Sequence, residues 1–116
     1  MQKRLGLEDI ENIKSILSKY NTENIIYNEP HFTLKLERLK IDRKEVVKEI
    51  LKPTKLVLVG VSESKNKNYD YIYDLYFKMG KSRIFKIPVS FRTQSLYLIT
   101  IFKIRRKIQN EATRYH

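Results

Sequence analysis

Basic and aromatic side chains are the chemistry this sequence has to offer. The 116 residues include 24 Lys and Arg, eight Tyr, two His and no Cys. Thiolate nucleophiles, thiolate zinc sites and disulfide frameworks are therefore excluded. A His-rich metal site is not expected from two histidines, and no metal or cofactor is assigned. Paired catalytic carboxylates, a phosphate-binding glycine loop and a nucleophile elbow are also missing. What remains is acid–base and electrostatic chemistry. His31 has the side chain whose ordinary pKa, about 6.5, suits proton transfer near neutrality. Arg38, seven residues on, shares its face if the segment is helical. Arg83 is in phase with the inward-facing Phe85 and Ile87 and suits a phosphate clamp or a rim position. Arg92 follows the same strand, and Lys103, Arg105 and Arg106 close the last one. The plain alternative for each is a solvated surface cation, and for His31 an ordinary residue at a helix start.

The charge is unevenly spread. Net charge is +11, with 13 Asp and Glu against the 24 cations. Residues 1–30 are close to neutral at −1, whereas residues 91–116 carry +5 from Arg92, Lys103, Arg105, Arg106, Lys107 and Arg114 against Glu111. Such asymmetry argues about partners, and a polyanion is favoured because each neutralised phosphate releases counterions. A Lys-rich solvated surface is the competing explanation. Exposed aromatics interleaved with cations suit single-stranded RNA. Tyr69, Tyr71, Tyr73, Tyr76 and Tyr97 fall in or beside strands, where packing is the commoner use of the ring.

Elements must position these groups. At 41% hydrophobic and 32% charged residues, the chain is globular and fits a single domain, residues 1–116. Ile10, Ile13, Ile16, Leu17 and Tyr20 make one helical stripe over residues 8–20. A short strand is expected at residues 24–27. Pro30 can open a helix over residues 31–39, although Phe32, Leu34 and Leu36 also fit a strand. Asp42 and Glu45 resemble a capping box ahead of Val46, Val47, Ile50 and Leu51, and Pro53 ends that helix. Strands are expected at 56–61, 71–79, 85–91 and 96–104, with residues 62–68 as an exposed loop. Pro88 argues for a bulge or sheet edge. The expected fold class is α+β, with N-terminal helices packed on a four-stranded antiparallel meander. No apolar run approaches the roughly 18 residues of a membrane span, and residues 1–6 lack a signal-peptide core behind them. A cytoplasmic protein without membrane contact is expected.

The order of these elements, with His31-Phe32, Leu39-Lys40-Ile41-Asp42, Glu45-Val46, Pro53 and Leu98-Ile99-Thr100, resembles the RelE/ParE toxin superfamily. Its BrnT-like branch and related small domains are the nearest in pattern. The tail, Arg105-Arg106, Glu111, Arg114 and Tyr115, is similar to the BrnT ending. The resemblance spans about residues 24–115. It departs at Asn28, where the family usually has aspartate, and at Arg38 and Lys40, where basic and His residues are usual. It implies a RelE-like core over residues 24–108, an N-terminal helical extension over 1–22 and a tail over 109–116. The implied activity belongs to a toxin–antitoxin pair: metal-independent endoribonuclease attack of the RNA 2′-hydroxyl on the adjacent phosphate. His31, Arg83, Arg105 and Tyr115 are the catalytic candidates. Arg38, Arg92, Lys103, Arg106, Lys107 and Arg114 are the nucleic-acid-binding candidates. Implied partners are RNA, free or on the ribosome, and an acidic antitoxin-like protein. A homodimer, a non-catalytic nucleic-acid-binding domain and a basic protein-interaction module stay open. So does the role of the N-terminal helix, which could dock on the domain, join a dimer or fill the RNA groove.

Overall fold

A computed structural model describes residues 2–4, 6–65, 70–80 and 82–105. The chain opens with β1 (Gln2–Arg4), a strand of three polar residues that the sequence pattern did not mark. Helix α1 (Leu7–Leu17) follows and buries Ile10, Ile13 and Leu17. It ends three residues before the expected point, because Lys19 and Tyr20 N–H groups bond to Ile16 and Leu17 carbonyls in a tightened last turn. The stripe packs into the same core as the rest of the molecule, so α1 docks on the domain. Strand β2 (Ile25–Tyr27) is the short strand expected there.

Helix α2 (His31–Leu39) settles the ambiguous segment. Phe32 and Leu36 are buried, whereas Leu34, which a strand would have turned inward with them, is 59% exposed. The helix stops at Lys40, whose φ of 57° is left-handed. The Ile41 N–H then reaches back to the Leu36 carbonyl at 3.0 Å, which closes the end as a Schellman-type turn. Helix α3 (Arg43–Leu51) buries Val46 and Ile50 and stops ahead of Pro53. Its cap differs from the expected box. Asp42 accepts the Lys44 N–H at 2.9 Å, and Glu45 does not turn back, because its carboxylate is taken by Arg83.

Five further strands complete the sheet: β3 (Leu56–Glu63), β4 (Tyr71–Lys78), β5 (Arg83–Phe91), β6 (Leu96–Leu98) and β7 (Phe102–Arg105). Their order is β1-β3-β4-β5-β6-β2, and β7 also pairs with β5. The class is α+β. The expected four-stranded meander is only the centre of a mixed, seven-stranded sheet, with β1 antiparallel on one side and β2 parallel to β6 on the other. Nor are all the helices N-terminal to the sheet: α2 and α3 form the connection from β2 to β3. Ser62 and Glu63, expected in a loop, continue β3 because β4 and β1 pair with it there. Inward residues of the three helices share one core with Leu75, Phe77, Phe85, Ile87, Val89, Leu96 and Leu98. Among the described residues no helix is long and apolar enough to cross a membrane.

The expected strand over residues 96–104 is interrupted. Val89 pairs with Leu98, but Lys86 pairs with Phe102, so three steps on β5 face four on the partner. The extra residue is a bulge. It lies where Ile99 N–H donates to the Pro88 carbonyl at 2.9 Å and proline has no N–H to return. The bulge changes phase. Leu96 and Leu98 point into the core, and next inward comes Ile101, fully buried, rather than Thr100. Lys103 and Arg105 therefore follow Ile101 onto the helix-covered face.

Candidate nucleic-acid interface

That phase change assembles a cationic end of the sheet. Arg83 pairs directly with Arg105, and Phe85 with Lys103. Direct cross-strand partners project from the same face, so Arg83, Lys103 and Arg105 emerge together at the margin of the core. Like charges placed opposite one another repel. One carboxylate offsets them: the Arg83 guanidinium donates to Glu45 Oε1 at 2.6 Å from α3. Arg83 also lies over the Phe85 ring, 4.8 Å from its centroid, and its Nε is buried without an acceptor. Both partners of the ion pair are more than a third exposed, so water screens much of it. Lys103 and Arg105 have no carboxylate partner among the described residues. An anion bound here would relieve the repulsion between the two guanidinium groups.

Helix α2 flanks this end. His31 Nε2 sits 2.8 Å from the Thr100 hydroxyl, at the bulge. The helix start is held in place by a small network. Glu29 accepts the Thr33 N–H at 2.8 Å and the Thr33 hydroxyl. Arg43 donates to Thr33 Oγ1 at 2.6 Å and to Glu29 at 3.3 Å, and stacks 4.1 Å from the Tyr27 ring centroid. The Thr33 hydroxyl bond does most to hold the Glu29 carboxyl below its ordinary value; partial burial opposes it, and the Thr33 N–H and Arg43 reinforce it. Asn28 completes the latch by donating its amide to the Ile99 carbonyl at 3.1 Å. An ionised aspartate in its place could only accept and would leave that carbonyl unbonded by it.

Lys35 was missed in the sequence, although it lies on the stripe between His31 and Arg38. Its ammonium is 3.9 Å from the Phe102 ring centroid. Burial, and secondarily the nearby Arg38, lower its pKa from the ordinary lysine value. Signal for it was present in the i, i+4, i+7 spacing of His31, Lys35 and Arg38.

Not every candidate converges. His31 touches Thr100, and Lys103 is three residues further along, roughly 10 Å in extended chain. Arg38 is exposed on α2. Arg92 sits past the far end of β5, roughly 30 Å of extended strand from Arg83, where it covers the Tyr97 ring at 4.2 Å. It belongs to a different surface. Arg106, Lys107, Arg114 and Tyr115 lie outside the described residues, as does Tyr69. The strand tyrosines serve packing in two cases: Tyr76 is fully buried, and Tyr73 meets Phe91 edge-on at 4.9 Å. Tyr71 is half exposed but pairs with Glu63. A cleft of about 520 Å³ between α1 and β3–β4 is likewise remote from the cationic end and includes Asp9, Glu63 and Tyr71.

No protein-family model, curated protein or solved structure matches this chain.

Proposed function

We propose that this chain is a RelE/BrnT-like domain that binds RNA at the end of the sheet marked by Arg83, Lys103 and Arg105. In its full form the reading includes metal-independent cleavage by the RNA 2′-hydroxyl. The observation that carries it is the register pair Arg83–Arg105, a like-charge contact that an intervening phosphate would convert into a clamp. The element order supports the reading: a helical hairpin begins at His31, a turn follows at Ile41-Asp42, and an antiparallel run extends to Leu98. In cleavage, the two guanidinium groups would stabilise charge on the phosphorane, and His31 would be the proton-transfer group. An acidic antitoxin-like protein would compete for the same cations.

Binding without cleavage is favoured by one specific observation: His31 Nε2 is engaged by Thr100 rather than aimed between the arginines. Incubating the protein with single-stranded RNA in EDTA separates the two forms. Products ending in 2′,3′-cyclic phosphate, lost in Arg105→Ala, would establish cleavage. Intact RNA bound in a salt-sensitive manner would leave the binding domain, and absence of binding would remove both.

A further inference from the structure

Phe102 is an aromatic ring left 40% exposed on β7, beside the cationic end. Only one other aromatic is comparably exposed among the described large apolar residues, Tyr71. The two have opposite surroundings. Tyr71 is register-paired with Glu63 and follows Asp70, so a phosphodiester would be repelled there. Phe102 is register-paired with Lys86 and followed by Lys103. Two ammonium groups reach its ring, Lys35 at 3.9 Å and Lys86 at 5.5 Å from the centroid. They are not equivalent. Lys86 is held by the buried Asp74 carboxylate at 3.9 Å, whereas Lys35 has no carboxylate partner among the described residues. Among the described residues, the Phe102 ring is what its ammonium faces.

A cation over an aromatic ring is a modest interaction at an exposed site, roughly 0.5–1 kcal/mol. A phosphate is a stronger partner for the same ammonium, and a nucleobase is a larger partner for the same ring. A nucleotide offers both at once. Phe102 lies three residues from Arg105, about 10 Å along the strand. The odd spacing puts it on the opposite face from Arg83, Lys103 and Arg105, so an RNA touching both crosses the outer edge of β7, which pairs with no strand but β5 among the described residues. Bases inside a duplex do not expose their faces, so a stacking platform selects single strands.

We propose that Phe102 is a base-stacking platform for single-stranded RNA, with Lys35 leaving the ring to bind the phosphate of the stacked nucleotide. This rests on the RNA-binding reading above and adds the substrate class: unpaired RNA, held by base as well as by phosphate. Crowding by Arg38 gives Lys35 an added reason to accept an anion.

The test uses the full chain and a 2′-O-methyl single-stranded RNA, which has no attacking hydroxyl, carrying one 2-aminopurine. Wild type and Phe102→Tyr should quench the 2-aminopurine emission on binding. Phe102→Leu should bind about tenfold more weakly, without the quench. With the wild-type protein, replacing a single base by an abasic site should weaken binding at one position of the oligonucleotide and not at others, a measurement that needs no variant. If Phe102→Leu and abasic RNA bind as tightly as their parents while Arg105→Ala does not, the stacking platform is wrong and the phosphate clamp stands. If wild type binds no RNA, both fall.

Discussion

Arg83 and Arg105 face each other across the β5–β7 ladder, two cations in direct register with Glu45 as the carboxylate on the first. The arrangement is unfavourable by itself and becomes favourable around an anion. On the proposed reading, Arg83 is thereby poised between an internal carboxylate and an external phosphate.

Glu45→Gln should therefore strengthen RNA binding. Removing the competing charge frees the Arg83 guanidinium, and the pair it breaks is an exposed one of modest energy. The expected gain is about threefold in Kd at low salt, shrinking as salt rises. Titration of a labelled RNA by anisotropy measures it. Unchanged or weaker binding would show that Glu45 positions Arg83 rather than competing for it.

The bulge makes a prediction about two isoleucines of the same parity. In an uninterrupted strand Ile99 and Ile101 would share a face and respond alike. Here Ile101 is fully buried and Ile99 is not. Ile101→Ala should cost about 2–4 kcal/mol of unfolding free energy, and Ile99→Ala about 1 kcal/mol or less. Urea denaturation of the two variants compares them. Equal losses would mean that the strand runs through without a change of phase, and Lys103 and Arg105 would then belong to the other face.

Much of this was readable in the chain. The α1 helix, the Pro30 opening of α2 and the Asp42 start of α3 follow from local rules, and the structure keeps them, although Ile16 of the expected stripe is 42% exposed. Pro88 foretold an irregularity, since a residue without an N–H cannot complete a ladder. What could not be read was its consequence, because alternation alone puts Thr100, Phe102 and Ile104 in phase with Leu98. The extra residue reverses that and makes a three-cation group out of Arg83, Lys103 and Arg105. β1 was invisible because Gln2-Lys3-Arg4 has no apolar signal; it is a strand only by pairing with Gly60, Val61 and Ser62. Glu45 looked like half of a capping box because its rival Arg83 is 38 residues away. Arg83 and Arg92 were legible as the start and the position just past the end of one strand, and β5 (Arg83–Phe91) keeps them apart.

The Glu29 network predicts a pH dependence. The Glu29 carboxyl titrates below its ordinary value of 4.5, first through the Thr33 hydroxyl. A lowered carboxyl pKa contributes stability that is fully present above the unfolded-state pKa and is lost as pH falls through the lower folded value. Wild type should thus be more stable than Glu29→Gln at pH 7. That difference should begin to shrink as pH drops below about 4.5 and close under the folded pKa. Chemical denaturation of both proteins between pH 7 and pH 2.5 tracks it. A difference that stays constant with pH would assign the effect to shape rather than charge.

The clamp itself is tested most directly by the salt dependence of binding to a single-stranded RNA. Each phosphate contact contributes about 0.7 to the slope of log K against log salt. Arg105→Ala should bind more weakly and flatten that slope by about 0.7, whereas Arg92→Ala, at the far end of β5, should leave slope and affinity unchanged. Equal effects of the two substitutions, or a wild-type protein whose RNA binding ignores salt, would contradict a phosphate site at Arg83, Lys103 and Arg105.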